Sequence, residues 1–361
     1  MIHIEVKADD LTTTRVVEAE TPTIGPGEIL VRVDRFALTA NNITYAVFGE
    51  RMAYWQFFPT EPGWGRIPVW GYANVAASNV AEIAVGERIY GYFPMGDTLV
   101  LKPTGVSSHG FVDQTSHRAK LPAIYNLYRR VGSGGAPKAL AKKEALTALF
   151  EPLFTTSFLI DDFLADNGLF GATSVIVSSA SSKTSLSLGF FLREGKRAPG
   201  AVFGLTSRGR VEFCRASGAY DEVLAYDEIN ALKPDRKRVY VDMSGNHEVR
   251  AALHHHFGAA LSYDCVVGGT HWDKIGADKD LPGPKPELFF APEHAQRRMG
   301  EWGPDGFRTR IAGEWKKLMM SASEWVEITP LEGPDAIIEA YGKVLAGTAA
   351  SNAGYVGGFA A

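Results

Sequence analysis

Near the middle of this sequence a short apolar segment runs into a string of small hydroxyl residues. It reads Thr173-Ser174-Val175-Ile176-Val177-Ser178-Ser179-Ala180-Ser181-Ser182-Lys183-Thr184-Ser185 and continues as Leu186-Ser187-Leu188-Gly189-Phe190-Phe191-Leu192. The pattern predicts a strand, a turn of small residues and a helix with one apolar face. Such a βα unit opens a nucleotide-binding sheet, because the free N–H groups and macrodipole at a helix start attract phosphate. Ser179, Ser182 and Ser185 recur at every third position, where a dinucleotide-binding turn usually carries glycine. Serine still lets the backbone approach a ligand, and its hydroxyl donates to phosphate. Two other readings compete. Lys183-Thr184 matches the end of a triphosphate-binding loop, but Ser182 and Val177 stand where that loop requires glycine. An ordinary buried strand followed by a capped helix would bind nothing.

The elements around this unit must position it. From 174 the pattern alternates: strand 174–178, helix 185–193, strand 201–206, helix 209–217, strands 222–225 and 238–243, helix 247–257, strand 262–268. That rhythm predicts a parallel sheet with crossover helices. The preceding part reads as β-rich, with a turn at Gly25-Pro26-Gly27-Glu28 and a strand at Ile29-Leu30-Val31-Arg32-Val33. Tyr54, Trp55, Phe57, Phe58, Trp64 and Trp70 crowd one region there. Residues 125–141 read as a flexible excursion between domains, and 145–164 as helical, with Pro152 starting a new helix. Residues 281–292 are proline-rich and irregular, and 325–361 mix a helix with short strands.

With 361 residues the chain is long enough for two domains with cores. A hydrophobic content of 45% and a charged content of 22% are ordinary for a soluble globular protein. A net charge of −4 without basic runs argues against a nucleic-acid surface. Two cysteines, Cys214 and Cys265, make neither a zinc cluster nor a disulfide scaffold, and they read as buried apolar residues of a reducing compartment. The start of the chain has no signal-peptide core, and no apolar run reaches membrane-spanning length. The expectation is a soluble, cytoplasmic protein with no membrane or nucleic-acid partner. Adjacent residues on a helix point in different directions, so His254-His255-His256 read as a helix end suited to the dipole, not as three ligands of one metal.

Several segments, taken in order, resemble the medium-chain dehydrogenase/reductase superfamily from about residue 23 onward. They are Gly27-Glu28-Ile29-Leu30-Val31-Arg32-Val33, Leu38-Thr39-Ala40-Asn41-Asn42, Gly71-Tyr72-Ala73 and Val85-Gly86-Glu87-Arg88-Ile89-Tyr90-Gly91. Pro152-Leu153-Phe154-Thr155-Thr156-Ser157, the 174–192 unit and Gly218-Ala219-Tyr220-Asp221-Glu222-Val223 follow at matching spacing. The sequence looks like a divergent, quinone-oxidoreductase-like branch. The resemblance implies an α/β protein with a Rossmann doubly wound parallel sheet and a GroES-like β-barrel domain. The barrel would take residues 1–129 completed by 321–361, and the Rossmann domain 130–320, with the active site in the cleft between them and a homodimer as assembly. The family's metal-binding cysteine falls near Thr39, and its Gly-His-Glu motif reads Gly71-Tyr72-Ala73, so no zinc site is expected.

For the cofactor, the second strand ends in Leu205-Thr206-Ser207-Arg208 without the carboxylate that holds the ribose hydroxyls of NAD. Two hydroxyls and a guanidinium suit a 2′-phosphate, so NADP(H) is expected, although Ser207 as a simple helix cap is the other reading. Ser179, Ser182, Lys183, Thr184, Ser244, Gly268, Gly269 and Thr270 complete the expected cofactor contacts; simple turn geometry also explains the glycines. Without a metal to polarise a carbonyl, the easier chemistry is hydride transfer to an activated alkene, an enone or a quinone. The resemblance places Asn42 and Tyr45 in the cleft as donor and acid, points Tyr72 at the position of a lost zinc ligand, and brings Thr156 to the nicotinamide. Each is also readable as a packed polar residue. The expected substrate is a small apolar or aromatic molecule. Two alternatives stand: a catalytically silent NADPH-binding sensor or partner protein, and a carbonyl reductase with a tyrosine acid.

Overall fold

Buried, β-branched strands build two separate sheet systems, and the chain divides with them into two units, Met1–Leu149 with Glu327–Ala361, and Phe150–Val326. The computed structural model describes residues 1–133, 138–195, 199–269, 271, 274 and 280–359.

The first unit is largely antiparallel. A small sheet joins β1 (Ile2–Lys7), β2 (Asp10–Glu18) and β4 (Trp64–Gly65). The larger sheet is built on β3 (Ile29–Leu38), β5 (Pro68–Ser78) and β6 (Glu87–Pro94), whose inward residues Val31, Val33, Phe36, Val69, Ile89 and Phe93 are almost completely buried. The strand β7 (Thr98–Leu101) adds to β3, while β8 (Pro103–Thr104), β9 (Gly110–Asp113) and β10 (Leu127–Ser133) extend the β6 side. The helix α1 (Ala40–Val47) follows β3 directly. The segment Ala353–Gly358 returns to pair antiparallel with β3, so the C-terminal part of the chain completes this unit.

Two expectations need correction here. Residues 127–133 are not an excursion. They form β10, paired with both β6 and β9, because Tyr128 is buried and donates its hydroxyl to the Tyr92 carbonyl at 2.6 Å. Arg130 fastens the same strand through two bonds to Glu87, each 2.7 Å long. Residues 134–137 lie outside the described ones. Pro152 does not start a helix; it sits inside α2 (Lys138–Asp166). Buried apolar residues on both sides of it (Leu149, Leu153, Phe154) favour a continuous helix enough to offset the bond that proline removes.

The second unit carries a six-stranded parallel sheet. Its strands are β11 (Ser174–Val177), β12 (Val202–Thr206), β13 (Glu222–Ala225), β14 (Arg238–Asp242), β15 (Leu261–Val266) and β16 (Glu287–Leu288), in the order β13-β12-β11-β14-β15-β16. That is the 3-2-1-4-5-6 order of a dinucleotide-binding sheet, with its switch point between β11 and β14. The helices α3 (Lys183–Glu194), α4 (Val211–Ala216) and α5 (His247–Phe257) are the crossovers, and α6 (Ala291–Trp325) follows β16 with a break at Gly303. The fold class expected from the alternating pattern is the one observed. No helix among the described residues is long and apolar enough to cross a membrane.

Candidate functional site

In the second unit the site forms where β11 and β14 end. Asp242, the last residue of β14, is fully buried and serves as the hub. Its Oδ1 accepts from the Ser178 hydroxyl at 2.9 Å, the Ser244 hydroxyl at 2.7 Å and the amides of Ser244 and Gly245 at 2.9 and 3.0 Å. Its Oδ2 takes Arg250 Nε and Nη2 at 3.1 and 2.6 Å. A buried carboxylate must be paired or it destabilises the fold, and every donor here comes from a turn or helix that the site needs. Ser178 also accepts the amides of Met243 and Ser244, which locks the first turn to the turn after β14.

The turn itself is closed by its own serines. Ser182 is the N-cap of α3: its hydroxyl accepts the Ser185 amide at 3.1 Å and donates to the Ser185 hydroxyl at 2.8 Å. Ser185 in turn donates to the Ser178 carbonyl at 3.0 Å. Ser179 adopts a left-handed backbone with φ +47°, and its amide donates to the Tyr226 hydroxyl at 2.9 Å. Two glycines matter for approach. A Cβ at Gly204 on β12 would lie 2.9 Å from both the Ala180 Cβ and the Tyr220 ring, and one at Gly268 would lie 2.5 Å from the Met243 carbonyl.

Lys183, at the first turn of α3, is half-buried, and burial followed by the nearby Arg210 guanidinium pushes its ammonium down to about 8. Arg210 reaches the Ser181 hydroxyl at 3.4 Å. Two like charges held together at a helix N-terminus make an anion-attracting corner. Thr184 is half-buried and its carbonyl accepts from Ser157 at 2.8 Å. Thr206 is buried at the end of β12. Ser207 occupies an N-cap position without making a side-chain cap, and Arg208 is exposed and paired with Asp227 at 2.6 Å and Glu228 at 3.1 Å, which raises its already high pKa. Ser244 is buried and bound as above; Gly268 donates its amide to the Asp242 carbonyl at 3.1 Å; Gly269 is buried, and Thr270 lies outside the described residues.

In the first unit, Asn42 is buried and shapes the start of α1: its Oδ1 accepts the Thr39 amide at 2.7 Å, and its Nδ2 donates to the Pro68 carbonyl at 2.8 Å. Tyr45 is buried and accepts from the Trp70 indole N–H at 3.1 Å. Burial first, and Tyr54 next, push its hydroxyl well up. Tyr72, on β5, lies 5.1 Å from the Tyr90 ring and under the Arg88 guanidinium at 5.1 Å. Trp70 stacks on Tyr90 at 5.9 Å, so one aromatic row connects Tyr45 to Tyr72. Tyr54, Phe57, Tyr92 and Tyr125 pack behind it. Thr156 belongs to the second unit, where its hydroxyl donates to the Pro152 carbonyl at 3.0 Å.

Asp242, Arg210, Arg250 and Tyr226 were not singled out from the sequence. A signal existed for one of them: an aspartate closing the apolar run Val239-Tyr240-Val241 just before Ser244-Gly245. The histidine run is more than a helix end. It does occupy the last turn of α5, yet His254 is fully buried, with Nδ1 on the Pro282 carbonyl at 2.8 Å and Nε2 on Asp264 at 2.9 Å. Burial works to lower its pKa, but those two acceptors hold it up. Cys214 and Cys265 are free and buried, as expected. Among the described residues no group of three or more His, Cys, Asp or Glu side chains is arranged to hold a metal ion.

No curated protein matches the sequence. The family described as a protein of unknown function (DUF2855) matches residues 36–350. Among solved structures the chain is similar to CurA from Vibrio vulnificus in complex with NADPH, at 15% identity, 100% coverage of each chain and a TM-score of 0.62. It is similar to the yhdH oxidoreductase from Salmonella enterica in complex with NADP, at 15% identity, 100% coverage of each chain and a TM-score of 0.52. The CurK enoyl reductase matches at 14% identity, 99% coverage of each chain and a TM-score of 0.53. The likeness shows a shared fold, with a six-stranded parallel sheet in one unit and a largely antiparallel sheet in the other.

Asp242→Asn should lower unfolding free energy by about 3–5 kcal/mol, because it removes the charge that the buried Arg250 guanidinium meets at 2.6 Å. Urea denaturation reads this directly, and a loss below about 1 kcal/mol would show that Asp242 is not the hub.

Proposed function

The chain belongs to the DUF2855 family, and we propose that it is an NADPH-dependent oxidoreductase that reduces an activated alkene, enone or quinone without zinc. The observation that carries this reading is the corner formed by Lys183, Arg210 and the capped start of α3, at the switch point of a 3-2-1-4-5-6 sheet. Two cations and a helix N-terminus fit the phosphates of a dinucleotide. The likeness in fold to proteins solved with NADPH and NADP adds support.

Lys183, Arg210 and the turn 179–182 would hold the phosphates, with Ser207 and Arg208 beside them. Arg208 would first have to leave Asp227 and Glu228. Bound NADPH supplies a hydride. The protein's own part is to hold the acceptor and deliver a proton. Tyr45 suits proton delivery, since the Trp70 indole orients its oxygen and its raised pKa keeps it protonated at neutral pH. Asn42 Nδ2 gives one hydrogen to Pro68 and retains a second for an oxyanion. Thr156 already donates to Pro152, which leaves its lone pairs for an amide N–H such as the nicotinamide's. Tyr72 and the aromatic row beside it favour a flat, apolar or aromatic substrate. The zinc-free reading rests on Thr39 and Gly71-Tyr72-Ala73, which offer no imidazole or thiolate. A silent NADPH-binding role is favoured by one observation, the internal use of the Ser182 and Ser185 hydroxyls.

Calorimetric titration with NADPH and NADH is the first test. Arg210→Ala should weaken NADPH binding by roughly 1.5–3 kcal/mol and hardly touch NADH, if it meets the 2′-phosphate. Arg208→Ala should lose less, because Arg208 must give up its pairs with Asp227 and Glu228 before it can meet a phosphate. Equal losses for both cofactors would remove the case for NADP. The affinity should also depend on pH with a definite sign. Lys183 is held at about 8 and a bound phosphate favours its charged form, so NADPH affinity stays level below that pH and falls above it. A level profile up to about pH 9.5 would take Lys183 out of the site. With an enone acceptor, Tyr45→Phe should cut turnover about 10²-fold or more while NADPH binding is unchanged. A saturated ketone as product supports the proposal; an alcohol favours carbonyl reduction, and tight NADPH binding without turnover favours the silent role.

A further inference from the structure

We propose that Tyr226 is the positioning residue of the phosphate-binding turn, doing by hydrogen bonding what glycine does elsewhere by lacking a side chain; this rests on the dinucleotide reading above. Ser179 stands at φ +47°. An L side chain resists that conformation because Cβ crowds the neighbouring carbonyl, and serine visits it less readily than glycine, asparagine or aspartate. Something must hold it there. Within the turn, the Ser182 amide donates to the Ser179 carbonyl at 2.7 Å. Across the sheet edge, the Ser179 amide donates to the Tyr226 hydroxyl at 2.9 Å, and the Ser179 side chain bonds to the same hydroxyl. One oxygen therefore gathers the amide and the hydroxyl of Ser179 and sets the plane of the peptide before it.

Tyr226 is itself fixed from both sides. It follows β13, two strands away from β11 in the sheet order, so the tie is long-range. The Ala225 amide donates to Glu228 Oε2 at 2.9 Å, which sets the backbone around Tyr226. The ring meets His271 edge-on at 5.6 Å and 82°, while His271 is anchored by its amide on the Ser244 carbonyl at 2.8 Å and by Asn246 at 3.1 Å. The shape of the turn determines how closely its amides can approach a diphosphate. The adenosine end of the cofactor does not depend on it.

The test compares NADPH with 2′-AMP, which carries the adenosine and 2′-phosphate but no diphosphate, by calorimetry on the full chain. Tyr226→Phe keeps the ring and should weaken NADPH roughly three- to tenfold while leaving 2′-AMP unchanged. Adding Ser179→Gly to Tyr226→Phe should restore NADPH binding to within about twofold of the wild type, because glycine takes a positive φ without a tie. Unchanged NADPH binding in Tyr226→Phe overturns the proposal. So does an equal loss for 2′-AMP, or a failure of Ser179→Gly to rescue. If the wild type binds neither ligand, the dinucleotide reading itself has failed, a result distinct from these three.

Discussion

A single buried carboxylate organises the Rossmann unit. Asp242 takes four donors on one oxygen and a guanidinium on the other, and its partners come from the turn after β11, the turn after its own strand, and α5. Burial makes an unpaired charge there costly, so each partner's position is enforced by the others. The pairing continues outward. Arg250 also lies 3.7 Å from Asp264, and Asp264 meets His254, which reaches the Pro282 carbonyl. Burial pulls the Asp264 carboxyl up, while its bond to His254 works the other way. One polar chain thus runs from the serine-rich turn to the segment beyond β15, through a core that is otherwise apolar.

The first unit follows a similar logic with different residues. Arg88 is buried and bridges Asp34, Asn74 and Glu144, with the Glu144 bonds at 2.8 Å. Arg118, buried among the aromatic residues, is satisfied by Asp113 and by the carbonyls of Phe57 and Val100. These ion pairs are weak sources of net stability, but removing one partner of either would leave a buried charge poorly compensated. Between them, the row of Tyr45, Trp70, Tyr90 and Tyr72 carries polar tips on an apolar body. That combination lets a side chain pack as core and still offer a proton. The Tyr45 hydroxyl is oriented by the Trp70 indole, and burial keeps it protonated.

The serine-rich turn shows how a dinucleotide-type turn is built here with serines in place of glycines. Glycine supplies a left-handed residue and open space through the absence of a side chain. Here the left-handed residue is Ser179, and two serine hydroxyls, those of Ser182 and Ser185, are bonded inside the turn. The hydroxyls expected to face a ligand at Ser182 and Ser185 are therefore engaged with their neighbours, and the charge at the site comes from Lys183 and Arg210. Arg208, the residue that strand order points to, sits on an exposed pair of carboxylates instead.

Much of this protein was legible in one dimension. Period-two apolar segments alternating with helical ones determined the parallel sheet, because crossover connections leave that rhythm in the chain. The motifs around residues 27–33, 71–73 and 85–91 pointed, through the resemblance they carry, to a separate β-rich unit, and the small residues at 179–185 marked the turn. Helix α5 was visible to the residue, since Asn246 caps it and Gly258 ends it. Other features were decided only by the tertiary structure. Pro152 stays inside a helix because packing on both sides outweighs a local preference, and β10 forms because β6 and β9 offer edges to it. Asp242, Arg250, Arg210 and Tyr226 gain their roles from partners 8 to 64 positions away. Local pattern reflects what a segment must bury, whereas charge pairing and hydrogen bonding across a sheet edge depend on which segments meet, and no spacing along the chain records that.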